Sequence, residues 1–196
     1  MCGIAGIVGS TPNPDQISQG LKSLEHRGPD TNGVYQVEDV TLLLTRLSII
    51  DLSPAAHQPM KDDATGVVIA YNGEIYNYRD LKADLASERF ISESDTEVIL
   101  RLYLRHGMAC AGMLRGMFAF AIWDPRTRTL HLCRDRFGIK PMYYWQNADS
   151  FVFSSEIKGL MALGAPVTLN RRVVYEYLKF GRTADTSETF FNPVTS

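Results

Sequence analysis

The sequence predicts an α+β fold in which two antiparallel β-sheets pack face to face with helices on their outer sides. Three observations carry that expectation. Strand-like runs such as VTLLLTRLSIID over 40–51 and VVIAYN over 67–72 are apolar or β-branched without alternation, as strands covered on both faces must be. Helical patterns flank the block of strands instead of alternating with single strands, which suits sheet-on-sheet packing with outer helices. The strands of the second half follow one another too closely for crossover helices, so the competing doubly wound parallel sheet is disfavoured.

Taken in order, CGIAGIVG at the N-terminus is small and apolar and reads as a strand tucked into a core, with the terminus buried. A polar, Pro-bearing stretch over 10–15 leads into a helical pattern of Ile17, Leu21 and Leu24. That helix stops in the Gly-Pro turn of His26-Arg27-Gly28-Pro29-Asp30. The runs over 40–51 and 67–72 follow as strands, and 78–87 reads as a helix with Leu81 and Leu85 four residues apart. Ser94-Asp95-Thr96-Glu97 is a capping-box pattern ahead of Val98, Ile99, Leu102 and Tyr103, and that helix ends at Gly107. Strands are expected over 117–123, 129–134, 141–145 and 151–154, then helices over 156–163 and 172–180. A polar tail begins near Arg182, so the expected division is a domain over 2–181 and a tail or linker over 182–196.

The length of 196 residues suits one domain, and 45% hydrophobic with 21% charged residues is enough for a sizeable core. With 20 Lys+Arg against 22 Asp+Glu the net charge is −2, and no basic block offers phosphate neutralisation. Neither nucleic acid nor a membrane is expected as a partner. No apolar run has the length of a membrane span and the N-terminus lacks a signal-peptide pattern, so a cytoplasmic location is expected. Cys2, Cys110 and Cys133 are odd in number without CxxC spacing, and His26, His57, His106 and His131 lack ligand spacing, so no disulfide framework or metal site is expected. Cys110 and Cys133 read as core residues.

Four features carry chemistry. Cys2 becomes the N-terminal residue if Met1 is removed. It then combines a thiol with an α-amino group whose ordinary pKa, about 7.7–8.0, suits a general base. The competing reading is a small buried hydrophobe. Asn72-Gly73 is by default a hairpin turn, but the Asn72 amide and the Gly73 N–H can also serve as the paired donors of an oxyanion hole, with Glu74 next in line. Arg46 sits between Leu44 and Leu47 in an apolar run. Its guanidinium fork suits a ligand carboxylate; the competing reading is an edge-strand arginine that reaches solvent or an internal partner. Asp95 adjoins Ser94 at a helix start, where one of the two side chains caps and the other is free for an ammonium group.

In these residues and the stretches around them, the chain resembles the class II glutamine amidotransferase domain found at the N-terminus of glutamine-hydrolysing asparagine synthetases. The matching stretches are MCGIAGIVG, HRGPD, RLSIIDLS, HQPM, YNGEIYNY, SDTEVIL, GMFAFAIWD, RDRFGIKPMYY and SSEIKGL. The resemblance implies the four-layer αββα N-terminal nucleophile hydrolase sandwich. It implies Cys2 as the nucleophile, with Asn72 and Gly73 as the oxyanion pair. Arg46 would hold the α-carboxylate of L-glutamine, Asp95 with Glu74 its α-ammonium, and Leu47, Ser48, Ile49 and Ile50 would line the pocket. Leu44 stands where the family commonly has histidine.

The implied activity is hydrolysis of L-glutamine to glutamate and ammonia through a cysteine thioester. The ammonia would serve an ATP-dependent asparagine synthesis, or a related amidation, on a synthetase domain or subunit. No cofactor is expected in this domain; ATP and Mg belong to the synthetase, whose Ser-Gly-Gly-x-Asp-Ser loop this sequence lacks. A catalytically silent glutamine-binding or scaffold domain of the same fold is the alternative, and retention of the whole residue set weighs against it. Arg134-Asp135-Arg136 reads as an ion-paired turn. Phe190 and Phe191 read as the exposed edge of an interface, with a homodimer as one outcome.

Overall fold

A computed structural model of the chain describes residues 1–181 and 187–196. The elements are β1 (Gly3–Val8), α1 (Pro14–Leu24), β2 (Thr31–Val37), β3 (Val40–Arg46), β4 (Met60–Lys61), β5 (Val68–Ile75), α2 (Tyr78–Asp84), α3 (Asp95–His106), β6 (Gly116–Asp124), β7 (Thr129–Arg134), β8 (Tyr143–Gln146), β9 (Phe151–Ser154), α4 (Ile157–Ala162), β10 (Thr168–Leu169), α5 (Arg171–Phe180) and β11 (Phe191–Asn192). One sheet runs β2-β3-β1-β9-β8 and the other β4-β5-β6-β7, with every ladder antiparallel. β10 and β11 form a small separate ladder.

The period of two along each strand divides the apolar residues into three layers of core. Ile4, Val40, Leu42, Leu44, Val68, Ala70, Ala119, Ala121 and Trp123 fill the space between the sheets. Their strand neighbours point the other way. Ala5, Ile7 and Leu43 pack with Leu24 and Leu160 under α1 and α4, while Ile69, Tyr71, Phe118, Phe120 and Ile122 pack under α2 and α3. The expected αββα layering is therefore the observed one, and unbroken runs such as VTLLLTR arise because all seven residues of β3 are buried. Each fully buried Leu or Ile here contributes about 1.5–3 kcal/mol of transfer free energy.

Several expectations are corrected. The strand over 40–51 ends at Arg46, and the following residues form a loop. There the Asp51 carbonyl accepts from the Arg46 guanidinium, and Ser48 N–H donates to Asp30 Oδ2 at 2.8 Å, in place of ladder bonds. Asn72-Gly73 is no turn: β5 continues through it, pairing Asn72 with Ala119 and Gly73 with Phe118. The helix over 78–87 stops at Asp84. The N-terminus is buried from Gly3 onward, while Met1 is exposed. The strands β2, β4, β10 and β11 carried no pattern that singled them out.

The boundary expected at 182 lies outside the described residues. The described part of the expected tail folds back: Thr168 and Leu169 pair with Asn192 and Phe191, Tyr144 and Thr195 exchange backbone bonds of 2.9 and 3.0 Å, and Val194 is buried. Phe190 packs edge-on against Tyr177 and Phe191 lies against the α1/α4 core, so both are half-buried.

Candidate active site

The same period of two that builds the inter-sheet core also assembles a polar cluster at one end of it. Arg46 continues the series Val40, Leu42, Leu44; Asn72 continues Val68, Ala70; Cys2 precedes Ile4; and Met117 precedes Ala119. Where the sandwich opens, these side chains line a cavity of about 160 Å³ together with Leu47, Ile49, Ile50, Gly73, Glu74 and Asp95. Nine of the ten sequence-predicted site residues thus meet in one place. The exception is Ser48, whose N–H is tied to Asp30 and which does not line the cavity.

Cys2 is half-buried, and its Sγ lies 3.7 Å from the Leu47 carbonyl oxygen. Burial pushes the thiol above its ordinary pKa. The Leu47 backbone, the terminal ammonium and Arg46 pull it partly back, and Asp95 opposes them. The terminal ammonium in question is that of Met1, which also lines the cavity.

Asn72 is 1% exposed, and its Nδ2 has no hydrogen-bond partner among the described residues. Gly73 beside it presents a second free donor, because its N–H faces away from the β5–β6 ladder. The N–H and C=O of Phe118, its cross-strand partner, turn away to Asp135 (3.2 and 2.8 Å), so the Gly73 pair is not bonded across β5 and β6. The N–H groups of Tyr71, Gly73 and Ile75 all point to the opposite edge. Tyr71 donates there to Gln58 Oε1 at 2.7 Å and Ile75 to Asp95 Oδ2 at 3.0 Å. No acceptor for Gly73 N–H occurs among the described residues. Only glycine fits here, because a Cβ would stand 2.5 Å from the Met117 carbonyl oxygen and 2.8 Å from Phe118 Cα.

Arg46 is 5% exposed and lies on a strand flanked on both sides by β1 and β2, so the edge-strand reading is excluded. Its hydrogen bond goes to the Asp51 carbonyl, and it forms no ion pair among the described residues. A buried guanidinium without a counter-ion is costly and retains capacity for an anion. Asp95, at the start of α3, accepts from Tyr71 OH at 2.6 Å and from Ile75 N–H. Ser94 is the capping residue, accepting from Glu97 N–H. Burial raises the Asp95 carboxyl above its ordinary value against these hydrogen bonds, and it pushes Tyr71 well above its own.

Sequence reasoning missed Gln58, Tyr71, Thr96 and Lys140, which also line the cavity. Gln58 bridges Tyr71 N–H to Thr96 Oγ1 (3.0 Å), holding β5 against α3. Lys140 arrives on a loop that the Arg134-Asp135-Arg136 reading made an ion-paired turn. Instead, Asp135 accepts the N–H groups of Phe118, Phe137, Ile139 and Lys140, while Arg134 donates to the carbonyls of Gly138 and Lys140. The signal for Lys140 was its place in RDRFGIKPMYY; nothing in its hydropathy marks it. Among the described residues no group of His, Cys, Asp and Glu could hold a metal ion.

Residues 1–196 match the sequence model of a family described as the glutamine amidotransferase domain. The chain is 38% identical over 208 residues to the putative asparagine synthetase [glutamine-hydrolyzing] 2 of Methanocaldococcus jannaschii, a match covering 92% of this chain and 39% of that protein. It is also 38% identical over 188 residues to asparagine synthetase [glutamine-hydrolyzing] 1 of Bacillus subtilis, covering 92% and 30%. The chain thus spans about two-fifths or less of these relatives. Among solved structures, glutamine phosphoribosylpyrophosphate amidotransferase from B. subtilis superposes with a TM-score of 0.70 over 84% of this chain and 44% of that one. At 23% identity it speaks for the fold alone.

Proposed function

The chain belongs to the glutamine amidotransferase domain family, and from that membership we propose that it hydrolyses L-glutamine to glutamate and ammonia, with Cys2 as the nucleophile after removal of Met1. The observation that carries the reading is the pair of unpartnered donors, Asn72 Nδ2 and Gly73 N–H, lining the cavity that also holds Cys2. A buried donor without an acceptor costs about 1–3 kcal/mol in the resting protein, and an oxyanion formed at that point recovers it.

The chemistry follows from the cluster. Arg46 takes the α-carboxylate of glutamine with the guanidinium donors that the Asp51 carbonyl does not use, and Asp95 with Glu74 receives the α-ammonium, so the side-chain amide is presented to Cys2. The α-amino group of Cys2 takes the thiol proton, and sulfur adds to the amide carbon, placing the oxyanion on Asn72 and Gly73. The tetrahedral adduct collapses, the amine returns the proton to the departing nitrogen, and ammonia leaves. Water then cleaves the γ-glutamyl thioester by the same route, releasing glutamate and the thiol.

The ammonia serves an ATP-dependent amidation on a synthetase domain or subunit, with aspartate as acceptor by analogy with the names of the relatives. Residues 2–181 hold the hydrolysing site, and the described residues 187–196 pack back against that unit through β11, Val194 and Thr195. Cys2→Ala is expected to abolish glutamate release from glutamine while leaving glutamine binding measurable by calorimetry. Retained turnover in Cys2→Ala would rule the reading out, whereas intact Met1 on the purified protein by mass spectrometry, with glutamine bound but not hydrolysed by the parent, would favour a silent binding domain.

A further inference from the structure

Two of the sequence motifs, HRGPD and SSEIKGL, have no part in the chemistry above, yet both end on the main chain around Cys2. The ladder with β3 runs only to Gly3, paired with Thr45, and the ladder with β9 only to Ala5, paired with Ser154. Cys2 therefore lies beyond both ladders at a chain end, where backbone ordinarily frays. What holds it is Arg27, whose Nε donates to the Cys2 carbonyl at 3.0 Å. Arg27 Nη1 donates to Glu156 Oε1 at 2.9 Å, and His26 Nε2 reaches the same oxygen at 2.8 Å. One residue earlier, Ser155 fastens the adjoining strand: its N–H donates to the Ile4 carbonyl at 2.8 Å and its Oγ accepts from Ile4 N–H at 3.0 Å. Gly28 lets this turn lie against β3, since a Cβ there would collide with the Thr45 carbonyl and the Arg46 N.

We propose that Arg27, braced by Glu156, is a positioning residue that fixes the main chain of Cys2, and with it the attack trajectory of the thiol. This rests on the reading of Cys2 as nucleophile. Arg27 is 9% exposed and its Nη2 is buried without a partner among the described residues. An arginine kept for stability alone would not carry that orphan, because a long apolar side chain fills such a space at little or no cost. Glu156 would not be stranded by its loss: it is one-quarter exposed and keeps Lys158 at 3.1 Å and His26. What an apolar replacement cannot supply is the hydrogen bond to the Cys2 carbonyl. Arg27 touches the nucleophile's backbone and not the reacting atoms, so its role is positioning.

The deciding variant is Arg27→Met, assayed beside Arg27→Lys and Glu156→Gln on protein shown by mass spectrometry to lack Met1. A displacement on the order of 1 Å at the thiol costs about 100-fold, so kcat for glutamine falls by about that factor in Arg27→Met, with KM within about twofold of the parent. Arg27→Lys, which retains one donor, recovers part of the loss, and Glu156→Gln shows a smaller one. Covalent capture of Cys2 by a glutamine analogue bearing a diazoketone slows in step with kcat at unchanged affinity. Alkylation by iodoacetamide, which needs no orientation, proceeds at the parental rate. Parental kcat in Arg27→Met overturns the proposal, and so does an equal fall in iodoacetamide rate, which would make the effect one on thiol acidity. If Arg27→Met melts well below the parent, Glu156→Gln decides: lowered kcat at parental KM supports the proposal and parental kcat overturns it. Failure of the underlying reading has a different signature, since Cys2→Ala would then still hydrolyse glutamine.

Discussion

Replacing Asn72 by leucine should move activity and stability in opposite directions. Asn72 is 1% exposed, its Nδ2 lacks a partner, and the residues preceding it on the same face of β5, Val68 and Ala70, are wholly buried in the inter-sheet core. An unsatisfied buried amide costs about 1–3 kcal/mol, and leucine, close to asparagine in shape, removes it. The polar neighbours Arg46 and Cys2 at the cavity return part of that gain, leaving about 1 kcal/mol, which for a domain of this size raises Tm by about 2–4 °C. If Asn72 stabilises the tetrahedral oxyanion, its loss lowers kcat about 10²- to 10³-fold, or about 2.7–4 kcal/mol of transition-state stabilisation. Both quantities are read on one preparation, by glutamate release at saturating glutamine and by thermal melting followed with circular dichroism. A variant that melts several degrees lower, or that keeps kcat within a few-fold of the parent, refutes the reasoning, because the orphan donor would then be neither a cost at rest nor a gain in the reaction.

Arg46→Lys keeps a positive charge but not the planar fork, so KM for glutamine should rise about 10- to 100-fold with kcat little changed; steady-state kinetics showing the reverse split would remove Arg46 from substrate binding. Gly73→Ala forces a Cβ against the Met117 carbonyl oxygen at 2.5 Å and Phe118 Cα at 2.8 Å, both backbone atoms, and should lower stability by about 1–3 kcal/mol in urea unfolding while abolishing turnover; parental stability would contradict the strand geometry. Asp124 is held down to about 2, first by its hydrogen bonds to Arg126 and, against burial, by Tyr103 OH. Because the folded value lies below the unfolded one, this contribution is complete above the ordinary carboxyl range and is lost as pH falls from about 3.8 towards about 2. Asp124→Asn should therefore be less stable than the parent at neutral pH, with the gap closing through that window; a gap that stays constant down to pH 2 would be inconsistent with the assignment.

Much of the fold was legible because burial on both faces leaves a mark on composition. β3, β5 and β6 read as unbroken apolar runs, and the spacing of the four strands from β6 to β9 ruled out crossovers. The candidate site was legible for a related reason: Arg46 and Asn72 are polar residues that continue an apolar period-two series, and Cys2 stands one step before one. What periodicity could not reveal is where a strand stops. Leu47, Ile49 and Ile50 are as β-prone as the residues of β3, and Asn72-Gly73 is as turn-prone as any dipeptide, yet the chain leaves the sheet at the first and continues through the second.

The misread stretches share a physical cause. Beyond the ends of the ladders, carboxylates and one amide take over the backbone N–H groups that the sheets leave unpaired. Asp30 accepts from Ser48 (2.8 Å), Asp51 from Ser53 and Glu93 (both 2.8 Å), Gln58 from Tyr71, Asp95 from Ile75, and Asp135 from Phe118 and three residues of its own turn. These bonds tie loops to themselves, to one another or to strands, or the start of α3 to β5, and three of the accepting residues, Asp51, Gln58 and Asp95, line the cavity. A hydropathy window scores such residues as solvated polar positions, whereas here Gln58, Asp95 and Asp135 are buried. Gly73 is the one N–H among Tyr71, Gly73 and Ile75 that this bracing leaves free. A rim whose hydrogen bonds satisfy the N–H groups of Tyr71 and Ile75, and leave Gly73 N–H free beside the unpartnered Asn72 Nδ2, is fixed around those two donors before any ligand arrives, which is the preorganisation that oxyanion stabilisation requires.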